Sequence, residues 1–351
     1  MSKFEKYLAL WVALCMAIGV VLSQTVPGIG ETIDSWQVRG ISIPIGICLF
    51  LMMYPALLNL QLSELKKLKD NPKPILLTLF SNWIVAPLVA MLMANLFLQG
   101  QEQLIVAVIL LGASPCTAMV LVWGKLAEGN QEQNVVNTSL NTITIMFFYV
   151  PLVSLLTGIQ GIPIDRMLLV ISALFFIGLP LIFGIVSKRL LIRAKGETWF
   201  ESVYRPIVGK ISIGALLMTL VVLFSLNGQV LIDHFDQLLL VSVPLLLGFV
   251  IVVGFNLLMT KIFGLAYREA ITTVIIGSSS HFEIAIATAV AMYGVGSYAA
   301  LGTTMGLFWE VPIMLGLVYL GKALMRRGFW VGTGVQVGQP AEVAVEAADI
   351  D

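Results

Sequence analysis

The sequence predicts an all-α integral membrane protein, on the strength of three observations. Of its 351 residues, 58% are hydrophobic and 11% are charged, whereas soluble domains carry charge on about a quarter of their residues. Mean hydropathy is +0.96. Apolar residues also gather into ten segments of roughly 20 residues, the length that a helix needs to cross a bilayer. These predicted spans cover residues 7–23, 41–60, 75–98, 104–123, 136–157, 167–187, 207–226, 238–260, 270–292 and 298–321.

The basic residues give these spans an orientation. All but two of the 20 lysines and arginines fall in alternate loops and at the chain ends, and the two exceptions are Arg39 and Arg166. Because basic residues concentrate in cytoplasmic loops, we expect both termini in the cytoplasm and a multi-pass protein of the cell membrane. Formal net charge is zero, so the charge balance indicates no nucleic-acid partner.

The longest basic loop, at about 188–206, divides the spans into two sets of five. We expect one domain over residues 1–323, with halves at about 1–160 and 161–323, and a disordered cytoplasmic tail over 324–351. An odd number of spans places two related halves upside down relative to each other, an arrangement common among secondary transporters. Each half has a similar fourth span, reading VILLGASP at 108–115 and TVIIGSSS at 273–280.

Glycine followed by small or helix-breaking residues at matching positions predicts two broken helices that cross near the membrane midplane, in spans four and nine. Glycine and serine runs also occur at plain contacts between membrane helices, which is the alternative interpretation. In span four, Pro115 removes a backbone hydrogen bond, and such a break is tolerated at bilayer depth only beside protein or a water-filled cavity. Cys116 is therefore expected to face a cavity.

Cys116 is one of three cysteines, all in apolar segments, and their spacing gives no disulfide framework and no zinc site. Next to a helix break, its thiol could bind a thiophilic ion or metalloid, although a lone cysteine often serves as a small buried hydrophobe. For Cys15 and Cys48, which have no break beside them, packing is the expected role.

Two of the 20 acidic residues, Glu283 and Glu310, fall inside predicted spans. A carboxylate at membrane depth costs several kcal/mol unless it is paired, hydrated or protonated, so each is a candidate proton carrier. The alternative is a protonated acid that bonds to a neighbouring helix. His281 could bind a ligand, relay protons or join helices, and the serines at 278–280 could line an ion site or bond to freed backbone groups.

No nucleotide-binding glycine loop and no nucleophile elbow is found, so we expect neither an enzyme nor a cofactor. Four segments resemble the Acr3 family of arsenite efflux permeases, which belongs to the bile acid/arsenite/riboflavin transporter superfamily. The resemblance covers nearly all of residues 5–322. Its segments are GASPCTAMVLVW at 112–123, MYP at 53–55, FEIAIA at 282–287 and EVPIM at 310–314.

This resemblance implies ten spans in an inverted repeat, a core around crossed spans four and nine, and a panel that moves against the core. It implies export of neutral arsenous acid, and often antimonite, in exchange for protons. Cys116 and Glu310 match the cysteine and glutamate that the family associates with arsenite transport, with Cys116 as the arsenic contact. We expect Glu310 and Glu283 to couple protons and the two breaks to bind substrate through Ser114, Pro115, Cys116, Thr117, Ser279, Ser280 and His281.

The chain departs from the family pattern at two places. The family usually has an asparagine close to Ser280, and it commonly has Asn-Asp in span five, where this chain has Asn141 and Thr142. Ion coupling and substrate range could differ as a result. Two alternatives stay open: a sodium-coupled organic-anion symporter of the same superfamily, in which Glu283 and the serines hold sodium, and a membrane sensor without transport.

Overall fold

The computed structural model describes residues 8–26, 28–38, 41–58, 71–294 and 296–330, and these are predominantly helical. The described part of the first half contains eight helices: α1 (Leu8–Thr25), α2 (Ile29–Asp34), α3 (Ile43–Leu58), α4 (Pro72–Phe80), α5 (Ala86–Phe97), α6 (Glu102–Gly112), α7 (Val120–Leu126) and α8 (Gln131–Ile159). A short antiparallel pair, β1 (Gln37–Val38) and β2 (Ile41–Ser42), precedes α3.

Up to residue 330, the described residues of the second half form eight more helices: α9 (Arg166–Ala173), α10 (Leu179–Lys195), α11 (Glu197–Trp199), α12 (Arg205–Asp233), α13 (Phe235–Ile262), α14 (Tyr267–Ser278), α15 (Phe282–Tyr293) and α16 (Tyr298–Arg326). Three wide π-helical turns join consecutive helices at Ser81–Val85, Leu174–Gly178 and Phe200–Tyr204.

Each π-helical turn has a proline as the second residue after it: Pro87, Pro180 and Pro206. A proline ring clashes with the carbonyl four residues earlier and supplies no N–H to bond it. In all three cases that carbonyl lies within the wide turn, where i→i+5 bonding relieves the clash. Spans three, six and seven can therefore carry a proline and continue as helices.

In the part of the chain that the structure describes, six helical stretches are long and apolar enough to cross a membrane: Pro72–Phe97, Gln131–Ile159, Arg166–Lys195, Glu197–Leu226, Asp236–Ile262 and Tyr298–Arg326. Shorter apolar helices lie at Leu10–Thr25, Ile43–Met52, Glu102–Gly112 and Phe282–Tyr293. The last two are halves of interrupted helices, which explains their length. Among the described residues each predicted span overlaps with helix, so the prediction of a helical fold with apolar, membrane-length helices is confirmed, and the ten-span inverted repeat stays a prediction.

The helices form two packing groups that are not contiguous in sequence. In one group, α1 and α3 pack against α12, and α10 packs against α3. In the other, α4 to α8 pack with α13 to α16, and the two interrupted helices lie inside this group. Helix α9 contacts α15 and α8 of the second group, and the chain continues from it through the turn at Leu174–Gly178 into α10 of the first group.

Two expectations from the sequence are wrong. The predicted loop at 188–206 is helical on both sides of Gly196, whose φ of +83° marks the single break. The basic residues there are good helix formers, and long cationic side chains at a span end reach water without ending the helix.

The tail was expected to be disordered from residue 324, but α16 continues to Arg326. Beyond it, Trp330 is 2% exposed and donates its indole N–H to Thr260 Oγ1 at 3.1 Å. Residues 331–351 lie outside the described part of the chain.

Candidate functional site

The two helix breaks predicted in spans four and nine meet in the structure. Helix α6 ends at Gly112 and α7 begins at Val120, while α14 ends at Ser278 and α15 begins at Phe282. Between them Pro115 and Ser280 pair in antiparallel fashion.

Backbone hydrogen bonds tie the breaks together. Cys116 N–H donates to Ser279 O at 3.3 Å, and His281 N–H donates to Ser114 O at 2.6 Å. Backbone groups that leave a helix at membrane depth must find other partners, and here each break supplies them to the other. The Ser114 hydroxyl adds donation to Leu111 O at 3.1 Å and to His281 O at 3.4 Å.

Close approach of α5 to the first break requires Gly112. A Cβ added at this residue would lie 2.3 Å from the Cβ of Ala90, well inside van der Waals contact. The glycine that marked the motif in the sequence is thus explained by packing between helices.

Glu310, midway along α16, directs its carboxylate at the second break. Oε1 accepts from Ser279 Oγ at 2.6 Å and from the Ser280 backbone N–H at 3.0 Å, and Oε2 accepts from Ser280 Oγ at 2.5 Å. The residue is 3% exposed. Three donors on one buried carboxylate stabilise its charged form, because an ionised carboxylate accepts hydrogen bonds without donating any.

Glu283 and His281 form a second buried pair at the start of α15. Glu283 Oε2 lies 3.0 Å from His281 Nδ1, and the side chains are 3% and 1% exposed. The other carboxylate oxygen, Oε1, has no hydrogen-bond partner among the described residues.

Cys116 lies between these acids. Its thiol is within hydrogen-bonding reach of the Ser279 side chain and the Ala118 backbone, and within electrostatic range of the carboxylates of Glu283 and Glu310. The residue is 3% exposed. Ser279 therefore bonds to both residues: its carbonyl accepts from the Cys116 backbone N–H, and its hydroxyl donates to Glu310.

A cavity of about 80 Å³ opens beside the crossing, between α5, α6, α13 and α14. Ser114, Pro115, Ser279 and Ser280 line it, and Cys116 is not among its lining residues. Cys116 was expected to face a cavity, and it does not face this cavity. The reason is that the chain is extended at the Pro115–Ser280 pairing, and successive side chains of extended backbone point to opposite sides. Pro115 therefore faces the cavity and Cys116 faces away from it.

Most of the predicted site residues converge at this crossing: Ser114, Pro115, Cys116, Ser279, Ser280, His281, Glu283 and Glu310. Thr117 is fully buried within the first break. Cys15 and Cys48 are free, partly buried thiols on α1 and α3. Within the described part of the chain, no three His, Cys, Asp or Glu side chains are grouped so that they could hold a metal ion.

Two buried amides of the site were not identified from the sequence. Asn141 Nδ2 donates to Cys116 O at 3.1 Å, and Asn141 Oδ1 accepts from Asn82 Nδ2 at 3.1 Å. At the other position where the chain departs from the family pattern, the Thr142 hydroxyl donates to Thr138 O of its own helix at 2.8 Å. Both amides hold the first break in place through its carbonyl.

A third amide, Asn256, supports the second break. Its Nδ2 donates to Ser81 Oγ at 2.9 Å and to Ser278 Oγ at 3.1 Å, and Ser81 Oγ donates to Gly277 O at 2.9 Å. Asn82, Asn141 and Asn256 all lie in predicted apolar spans, so polar side chains at membrane depth were the signal that could have identified them.

Comparison with known proteins gives the following matches. Residues 46–234 match the model of the Sodium Bile acid symporter family. An uncharacterised transporter of Synechocystis is 39% identical over 94% of this chain and 90% of its own length. The arsenical-resistance protein Acr3 of Alkaliphilus metalliredigens is 33% identical over 91% of this chain and 92% of its own. The Acr3 protein of Corynebacterium glutamicum is 30% identical, over 91% and 88%.

Proposed function

This chain belongs to the sodium bile acid symporter family, and on that premise we propose that it is a secondary transporter that exports arsenite from the cytoplasm in exchange for protons. Such export confers resistance to arsenic. The observation that carries the proposal is the meeting of Cys116 and the Glu310 carboxylate at one residue, Ser279, in the crossing of two broken helices. Two relatives with similarity along about nine tenths of the chain are named as arsenical-resistance proteins.

In the proposed architecture the chain crosses the membrane ten times in a five-plus-five inverted repeat. The protein lies in the plasma membrane, and both of its termini are in the cytoplasm. The distribution of basic residues supports this orientation. The two packing groups of helices are the proposed panel and core, and the crossing belongs to the core. Movement of one group against the other opens the site alternately to each side.

The chemistry of the site suits arsenous acid, a neutral molecule with a thiophilic arsenic atom and three hydroxyl groups. Cys116 contacts the arsenic, since a soft sulfur is the ligand that such an atom prefers. Ser114, Thr117, Ser279, Ser280 and His281, with Pro115 shaping the break, exchange hydrogen bonds with the hydroxyl groups. A single thiol gives weak binding, and a transporter must release what it binds. Antimonite has the same chemistry and is a second substrate.

Proton coupling supplies the driving force for export. Arsenous acid is uncharged near neutral pH, so the membrane potential cannot expel it, whereas a carboxyl group that binds and releases a proton links export to the proton gradient. Glu310 and Glu283 are the groups proposed for this role. Arsenite that takes hydrogen bonds from Ser279 and Ser280 removes donors from Glu310, so substrate binding and the protonation of the crossing are linked.

A second candidate function is sodium-coupled uptake of an organic anion. The description of the matching family favours it, and Glu283 with the nearby serines would bind the sodium ion. This function gives Cys116 no role, so the thiol discriminates between the two candidates.

Transport into everted membrane vesicles tests the proposal. An acidic lumen should drive accumulation of arsenite without sodium, and Cys116→Ser should abolish it while Cys48→Ser, a matched change of a thiol remote from the crossing, leaves it intact. Accumulation that requires sodium and ignores the pH gradient would contradict proton antiport. Retained transport by Cys116→Ser would return this residue to a packing role.

A further inference from the structure

The carboxyl groups of Glu310 and Glu283 are bonded so differently that the structure assigns them separate roles. We infer that the exchanged proton is carried by the buried His281–Glu283 pair, and that Glu310 stays ionised and holds the crossing. This inference rests on the proposed function and specifies which group couples protons.

A proton on Glu310 weakens the bonds that it accepts. Both of its oxygens accept from donors of the second break, two on Oε1 and one on Oε2. Protonation would turn charge-assisted hydrogen bonds into neutral ones. Hydrogen bonds to charged groups are stronger than those to neutral groups, so the charged form of Glu310 is the form that the crossing favours.

Glu283 presents the opposite case. Its Oε2 faces His281 Nδ1 at 3.0 Å, and its buried Oε1 has no partner among the described residues. A proton on Oε1 breaks no hydrogen bond and lowers the charge of a carboxyl group that is 3% exposed. An unsatisfied buried oxygen is costly, so protonation here relieves a cost where protonation of Glu310 would create one.

The charged groups around the His281–Glu283 pair determine how many protons the pair exchanges. Glu310 from α16 and Cys116 from the first break interact electrostatically with Glu283. Among the other elements packed against α15, α6 begins with Glu102 and α9 with Arg166, both exposed.

Glu102 interacts with Tyr293, the last residue of α15, which lies about 15 Å along the helix from Glu283. On α8, Tyr149 donates to Thr288 Oγ1 at 3.3 Å. On α3, Tyr54 bonds to Ser187 and Tyr204 instead.

With all three groups ionised, Glu283, Glu310 and His281 carry a net charge of −1. One proton bound to the pair makes the cluster neutral, which is the favoured state at membrane depth. From the outward-facing state the pair takes a proton from outside as arsenous acid leaves, and it releases that proton to the cytoplasm when the next arsenous acid binds. One proton enters for each neutral molecule exported.

Arsenite in the cavity affects the His281–Glu283 pair through Ser114. This residue lines the cavity and accepts from His281 N–H at 2.6 Å, and its hydroxyl donates to His281 O. A substrate that displaces Ser114 therefore shifts His281, and with it the contact between Nδ1 and the Glu283 carboxylate.

Proton release by the purified full-length protein tests the inference. Sodium arsenite is added to the protein in weakly buffered detergent solution with a pH indicator, and arsenite binding is measured separately by titration calorimetry. The wild type should release about one proton per arsenite bound, and its arsenite affinity should fall about tenfold per pH unit on acidification, because the linkage is reciprocal. Glu283→Gln should reduce release at least tenfold and flatten this pH dependence.

Glu310→Gln is the comparison variant: its affinity for arsenite should fall, yet each bound arsenite should still release a proton. Proton release that survives in Glu283→Gln and disappears in Glu310→Gln would overturn the inference and leave proton antiport standing. A wild type that binds no arsenite would instead contradict the proposed function itself.

If Glu283→Gln does not fold, infrared spectroscopy of the wild-type protein still tests the inference. Infrared difference spectra of the wild type should show that arsenite removes a protonated carboxyl band together with a change in a histidine ring band. A carboxyl change without any histidine change would assign the proton to Glu310.

Discussion

Replacement of Glu310 by glutamine measures how strongly this residue holds the crossing. The amide keeps one oxygen for Ser279 Oγ and the Ser280 N–H but puts an –NH₂ group where Oε2 accepted from Ser280 Oγ. Three charge-assisted bonds become neutral bonds, at a loss of about 1 kcal/mol each. The neutral amide also avoids the desolvation cost of a buried charge, which offsets part of that loss. We therefore expect the free energy of unfolding to fall by about 1–3 kcal/mol.

Chemical unfolding in detergent measures this change, and the midpoint should shift with little change in slope. Glu197→Gln, the same change at an exposed glutamate, should stay within about 0.5 kcal/mol of the wild type. Ser280→Ala, which removes one of the three donors, should give a smaller loss than Glu310→Gln. Wild-type stability together with full arsenite protection in Glu310→Gln would refute the idea that this carboxylate organises the second break.

Three further substitutions test parts of the scaffold. Gly112→Ala sets a methyl group 2.3 Å from the Cβ of Ala90 and should cost about 1–3 kcal/mol of stability through overpacking; unchanged stability would show that α5 can move aside. Asn141→Leu leaves the Cys116 carbonyl without its amide donor and should cost about 1–3 kcal/mol, with arsenite protection reduced in a growth assay; full protection would argue against support of the break. Trp330→Ala removes a buried indole and should lower stability by about 3–5 kcal/mol, whereas Trp330→Phe should lose less, and equal effects would point away from packing.

The helix breaks could be predicted from sequence because proline and glycine interrupt helices by a local mechanism. Pro115 has the same effect in any fold, and the matching Gly-Ser run at 277–280 supplied its partner. Glu283 and Glu310 stood out because a charge at membrane depth is expensive. These features required no knowledge of which helices pack together.

The rest of the site depended on packing between distant segments. Asn82, Asn141 and Asn256 are uncharged. Their positions in apolar spans show that they need hydrogen-bond partners, but the sequence does not show that these partners belong to the helix breaks. Which acid faces the serines is decided by the path of α16, and the sequence placed Glu283 nearer to them along the chain. The error at 188–206 has a physical reason as well: a cluster of basic residues indicates the membrane surface, but it does not end a helix.

The exchange of backbone hydrogen bonds between the two breaks has a consequence for how the chain is made. Ser114 and His281 are 167 residues apart, and at about 5–20 residues per second the ribosome needs roughly 10–30 s to cover that distance. Throughout that interval the first break has entered the membrane without the partner that satisfies it. Biogenesis of this protein must therefore shelter an incomplete helix until span nine arrives, and a translation arrest placed between spans four and nine should capture the chain with its insertion machinery.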